Sequence, residues 1–177
     1  AKDNRGCDSC GYFIDGHYEY GAKDSDKLFR NFFQENKFLN SLKTCTVSFG
    51  HCRKASVGAI NESTAQPVVI TDNEGNVEYV LMHNGTIHNY KELAKKYIPE
   101  IDITGMTDSQ VMARIFYHTG YKSLSEYNGG AVFAIADYRK GKPKIMLFKG
   151  ASKENKWSSS ETEERPSVSY TTIRAHD

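Results

Sequence analysis

Four short stretches of this chain are polar or glycine-rich beside apolar neighbours: Asn4-Arg5-Gly6-Cys7-Asp8-Ser9, Gly50-His51-Cys52-Arg53-Lys54-Ala55-Ser56, His83-Asn84-Gly85-Thr86-Ile87-His88-Asn89-Tyr90 and Thr107-Asp108-Ser109-Gln110. Such stretches at strand ends are where sheet proteins commonly carry their sites. Arg53 offers a planar fork for a carboxylate, and Asp108 offers an anion for an ammonium. Together they suit a free α-amino acid. Asn84 adds a side-chain NH2 and Gly85 a backbone N–H, two donors for the oxyanion that forms when an amide is attacked. Each residue has a plainer reading when taken alone. Asn-Gly makes a hairpin turn, arginine a surface ion pair, and aspartate at a helix start answers the helix dipole. Only in combination do they specify one ligand, an α-amino acid with a side-chain amide.

The elements that must position these residues are legible from periodicity. A hairpin is predicted over 11–20 with Asp15-Gly16 as its turn. A helix is predicted over 25–42, where Leu28, Phe29, Phe32, Phe33, Leu39 and Leu42 recur at helical spacing. Strands follow at 44–49, 68–71 and 77–82, with a polar loop over 54–67. Asn89 with Glu92, and Thr107 with Gln110, read as capping pairs before helices at 93–97 and 108–118; Gly120 closes the second. One helical turn is expected at 123–127, strands at 131–137, 144–148 and 168–173, and a mobile serine-rich loop at 152–166. Strands and helices come in blocks, which favours an α+β fold of mainly antiparallel sheets over a doubly wound one.

Composition narrows the functional classes. The 177 residues carry 23 basic and 22 acidic side chains, a net charge of +1. That balance gives no electrostatic reason for a nucleic-acid or membrane partner. No apolar run is long enough to span a bilayer, and the polar start does not read as a leader, so a cytoplasmic protein is expected. Nucleotide-binding glycine motifs are absent from the sequence, and no cofactor is expected. Cys7 and Cys10 form a C-x-x-C, but Cys45 and Cys52 are spaced too widely for the second half of a zinc site. No metal is expected, and the cysteines are read as reduced thiols. His17, His51, His83, His88, His118 and His176 show no ligand spacing and are read as structural or exposed.

In order and spacing, the motifs resemble those of the class II (N-terminal-nucleophile) glutamine amidotransferases, the family of glucosamine-6-phosphate synthase, amidophosphoribosyltransferase and asparagine synthetase B. Arg5-Gly6-Cys7-Asp8-Ser9 is similar to the family's R-G-x-D-S/G, Gly50-His51-Cys52-Arg53 to G/A-H-x-R, and Ala65-Gln66-Pro67 to A-Q/H-P. His83 to Tyr90 is similar to N-G-x-I-x-N-Y/H, Thr107 to Val111 to S/T-D-T/S-E-V, and Gly130 to Asp137 to a late strand G-x-F-A/V-x-x-x-x-D.

The resemblance implies a four-layer αββα sandwich and a single domain over 1–177. It also implies hydrolysis of L-glutamine to glutamate and ammonia, the ammonia passing to an acceptor domain or subunit. Arg53, helped by Ser56, is implied to bind the α-carboxylate, and Asp108 the α-ammonium. Asn84 and Gly85 are implied to form the oxyanion hole, and Arg5 to order the site. The family's nucleophile, an N-terminal cysteine activated by its own α-amine, precedes the R-G-x-D segment by a strand and a helix. It is therefore expected upstream of Ala1, together with the first strand. The alternative is a glutamine-binding or sensing domain of the same fold without the nucleophile. A third reading, an N-terminal-nucleophile hydrolase of another amide, fits Arg53 and Asp108 less well.

Overall fold

The computed structural model describes residues 8–22, 36–54, 60–151 and 169–173. It contains two antiparallel sheets with helices outside them. β1 (Ser9–Ile14), β2 (His17–Ala22) and β3 (Ser48–Arg53) form the first sheet, in the order β2-β1-β3. β4 (Val68–Thr71), β5 (Val77–Gly85), β6 (Gly130–Asp137), β7 (Lys144–Ala151) and β8 (Ser169–Ile173) form the second, in chain order. The helices are α1 (Asn36–Thr44), α2 (Tyr90–Tyr97) and α3 (Asp108–Thr119), with 3-10 turns at Glu62–Thr64 and Lys122–Ser125.

Strand alternation divides the core into three interfaces, and these define the layers. Along β1, Tyr12 and Ile14 meet Leu42 and Cys45 at the α1 layer. Phe13 between them faces the other way, and meets Val47, Val80 and Ala136 between the sheets. On β5 and β6 the opposite set, Tyr79, Leu81, Phe133 and Ile135, packs beneath α2 and α3 with Val111, Met112, Ile115 and Phe116. Successive side chains point to opposite faces of a strand, so the sequence of layers is helix, sheet, sheet, helix. This is the αββα sandwich.

The local chemistry explains several boundaries. Asp15 and Gly16 hold φ of 41° and 99°, the left-handed pair of a two-residue hairpin. Asp15 Oδ1 and Oδ2 also accept from the Val47 and Thr46 amides, at 2.8 and 2.7 Å, fixing the turn against the start of β3. At α3 the capping box is complete: Thr107 Oγ accepts from the Gln110 amide at 3.2 Å, and Gln110 Oε1 from the Thr107 amide at 2.9 Å.

Three expectations are corrected. The strand read at 44–49 lies at Ser48–Arg53, because α1 continues through Thr44 and register is set by pairing with β1, Ile14 to Ser48 and Ser9 to Arg53. The strand read at 77–82 runs on to Gly85, so Asn84-Gly85 is paired with Val132 and Ala131 rather than forming a free corner. Asn89 makes no cap bond to α2. Its side chain instead clamps the 126–128 stretch, donating to the Glu126 carbonyl at 3.0 Å and accepting from the Asn128 amide at 2.7 Å. Most of the helix read at 25–42, the loop read at 152–166, and Arg5, Cys7 and Ser56 lie outside the described residues.

Candidate functional site

β3, β5 and the N-terminus of α3 converge at one end of the sandwich. Arg53, the last residue of β3, shares a face with Phe49, which packs between the sheets. It is 6% exposed. Burial pulls its guanidinium below the usual arginine range, opposed by the nearby carboxylates of Asp108 and Asp8. Asp108, 5% exposed, is the first residue of α3. Its Oδ2 accepts from the Ile87 amide at 3.0 Å and its Oδ1 from the Ser109 amide at 2.9 Å. Each oxygen keeps a further lone pair for an ammonium.

Asn84 and Gly85 end β5. By alternation Asn84 shares the inter-sheet face of Val80, the face that looks toward Arg53's sheet. The Asn84 side chain is exposed and makes no hydrogen bond among the described residues. The Thr86 amide donates to the Gly130 carbonyl at 3.1 Å, so even-numbered β5 residues carry the ladder to β6. The Gly85 N–H therefore points the other way, past the start of β4 at Val68, and takes no part in the β5–β6 ladder. Gly85 has φ 139°, and a Cβ there would lie 2.0 Å from the Gly130 carbonyl oxygen. The glycine is thus required by the neighbouring strand.

Beneath this corner lies a buried polar network that periodicity did not reveal. The Gln66 carboxamide takes the place of a strand neighbour for His83: its Oε1 accepts from the His83 amide at 2.6 Å, and its Nε2 donates to the His83 carbonyl at 3.0 Å. Nε2 also donates to Ser109 Oγ at 3.2 Å, and Ser109 Oγ lies 2.9 Å from His83 Nδ1. His83 stacks on Phe133, with ring centroids 4.9 Å apart, and its Nδ1 is 3.9 Å from Asp108 Oδ2. His51, one residue pair back from Arg53, bonds to the His83 main chain. Burial pushes the His83 imidazole from 6.5 to about 4, with Asp108 opposing the shift and His51 adding to it. Burial likewise lowers His51, against its bond to His83 and with help from Arg53. Ser9 Oγ, His51 Nδ1 and His83 Nε2 are buried without a hydrogen-bond partner among the described residues, so they are atoms that a polar ligand or water can satisfy. The signal for Gln66 and His83 was present in the sequence only as motif membership, with no role attached.

The structure thus brings Arg53, Asp108, Asn84 and Gly85 to one end of the fold; Arg5 and Ser56 are outside the described residues. Among the described residues no group of three His, Cys, Asp or Glu side chains is placed to hold a metal ion. No helix among them is long and apolar enough to cross a membrane.

Residues 37–150 match the family model described as "Glutamine amidotransferase domain". The chain belongs to the class II glutamine amidotransferases. It is 30% identical over 117 residues to a putative asparagine synthetase [glutamine-hydrolyzing] 2 of Methanocaldococcus jannaschii, across 60% of this chain and 22% of that protein. It is 30% identical over 144 residues to a glutamine--fructose-6-phosphate aminotransferase [isomerizing] of Lactococcus lactis, across 75% of this chain and 23% of that protein. The fold is similar to that of a glutamine phosphoribosylpyrophosphate amidotransferase from B. subtilis, with a TM-score of 0.58 at 20% identity, over 81% of this chain and 31% of that one. The amidotransferase domain described here therefore spans less than a quarter of the two curated relatives.

Proposed function

We propose that this amidotransferase domain binds L-glutamine and hydrolyses its side-chain amide to glutamate and ammonia, for transfer to an acceptor domain or subunit. Arg53 takes the α-carboxylate, assisted by Ser56, and Asp108 takes the α-ammonium. The nucleophile is an N-terminal cysteine preceding the Arg5 segment, and Arg5 orders it. Its α-amine accepts the thiol proton, and the thiolate attacks the amide carbon. The oxyanion is met by the Asn84 side-chain NH2 and the Gly85 N–H. The carbon–nitrogen bond then breaks, the held proton goes to the departing ammonia, and water releases glutamate from the thioester.

The observation that carries this reading is the proximity of two buried, oppositely charged side chains, Arg53 and Asp108, beside a backbone N–H left out of its ladder at Gly85. A free amino acid carries the matching charges at its α-carbon, and its side-chain amide carries the matching carbonyl.

The test is ammonia and glutamate release by the full-length natural protein, with calorimetric glutamine binding alongside. Truncating one partner of a buried charge pair removes about 2–5 kcal/mol of binding. Arg53→Ala and Asp108→Ala are therefore each expected to lower kcat/KM by on the order of 100-fold or more. Activity equal to wild type in both variants contradicts the assignment. Glutamine binding that depends on both residues, with no ammonia release, favours the sensing domain instead.

A further inference from the structure

Cys10 and Cys52, 42 positions apart in the chain, face each other across β1 and β3. The type of pair they form follows from the ladder. The Asp15 amide donates to the Val47 carbonyl at 3.1 Å, and those residues stand opposite each other one step beyond Ile14 and Ser48. Hydrogen-bonded and non-hydrogen-bonded pairs alternate along an antiparallel ladder. The hydrogen-bonded pairs are therefore the odd residues of β1, and Cys10–Cys52 is a non-hydrogen-bonded pair. Such pairs hold their Cα atoms about 4.5 Å apart with the side chains at their closest, inside the roughly 4.4–6.8 Å range that a disulfide needs. Directly opposite residues share a face, here the one that Tyr12 and Ile14 present to α1. Arg53, the next residue, points to the other face.

We propose that Cys10 and Cys52 form a dithiol–disulfide modification site that cross-links β1 to β3 immediately before Arg53. Accessibility assigns the roles. Cys52 is exposed and Cys10 is buried, so a small-molecule disulfide such as oxidised glutathione meets Cys52 first. The Cys52 thiolate attacks one sulfur, forming a mixed disulfide and releasing one glutathione thiol. Cys10 then attacks the Cys52 sulfur and releases the second. Two protein thiols are oxidised, one glutathione disulfide is reduced, and no other reactant is needed. Burial, with the Cys52 thiol beside it, raises the Cys10 thiol to about 11, so closure is the slower step and quickens with pH. Cys45 is the poorer candidate by geometry: it packs on the Tyr12–Ile14 cluster, two to four residues along β1 from Cys10, and lies two residues before Val47, which stands opposite Asp15.

Peptide mapping of the full-length protein without reductant, after exposure to oxidised glutathione, tests this. The expected product is one linked pair of peptides carrying residues 10 and 52, separated by dithiothreitol, with a Tm raised by roughly 5–10 °C. Cys10→Ala should stop at a glutathione adduct on Cys52, and Cys52→Ser should carry neither adduct nor cross-link. A wild-type protein that keeps glutathione on Cys52, that links Cys10 to Cys7 or Cys45 instead, or that stays unmodified overturns the proposal. None of these readouts involves glutamine, so the outcome is independent of the amidotransferase assay.

Discussion

The two faces of the five-stranded sheet are filled in opposite ways. The face under α2 and α3 is continuous hydrocarbon and aromatic packing, from Tyr79 and Leu81 through Phe133 and Ile135 to Ile115 and Phe116. The face toward the other sheet has a short apolar patch around Phe13, Val80 and Ala136. Toward the ends of β3 and β5 it gives way to His51, Arg53 and Asn84. Burying a charge or an unpartnered polar atom is expensive, so this end was not arranged for stability. The helix-side layer provides the stability, and under the proposed function the inter-sheet end uses it to hold polar groups in place for glutamine. His83 marks the boundary: its ring belongs to the packed side, stacked on Phe133, while its main chain leads into Asn84 and Gly85.

That contrast can be broken from either side. The largest effect is expected deep in the packed layer. Ile115→Ala should lower the unfolding free energy by about 3 kcal/mol, measured by denaturant titration, while leaving KM for glutamine in the folded protein unchanged. A large change in KM would mean that the two faces are not separable. Next is pH. The folded state holds His83 neutral down to about 4, whereas the unfolded chain protonates it near 6.5. Its contribution is therefore fully present above pH 6.5 and is lost as pH falls toward 4, by up to about 3 kcal/mol. His83→Asn should flatten this part of the stability–pH curve, leaving the slope due to His51, which shifts in the same direction, and to carboxylates common to both proteins. Curves of equal slope would rule out a buried neutral His83. The smallest effect is expected from Gln66→Leu, which leaves the His83 N–H and C=O without their carboxamide. If the Asn84-Gly85 donors act on the transition state as proposed, kcat should fall about tenfold with KM changed by less than about twofold. A rise in KM with kcat intact would place Gln66 in substrate binding rather than in positioning.

What the sequence disclosed was whatever local chemistry decides. The Asp15-Gly16 turn, the Thr107–Gln110 capping box and the apolar run of β6 depend on neighbours a few residues away, and they stand where they were expected. Long-range partners decided the rest. Asn89 has the residue type and spacing of a cap, but Glu126 and Asn128 claim its side chain. β3 is displaced toward Arg53 because β1 sets its register. The site divides in the same way. Arg53, Asp108, Asn84 and Gly85 could be put forward as candidates because charge and amide chemistry suggest a ligand for them. Gln66, His83 and Ser109 could not, because a glutamine that completes a strand ladder with its side chain looks in sequence like any polar loop residue.

The glycines where β5 meets β6 bear on any attempt to reshape the proposed glutamine site. A Cβ at Gly85 would stand 2.0 Å from the Gly130 carbonyl oxygen, and one at Gly129, at φ 133°, would stand 2.0 Å from that of Thr86. The two strands thus close on each other backbone to backbone, with no side chain between them to trim or swap. Changes of substrate size engineered at residues 84–86 will be transmitted to 129–131 and back. Libraries that vary one segment while holding the other fixed should yield mostly misfolded corners, and paired diversification of both is the route to a well-folded variant.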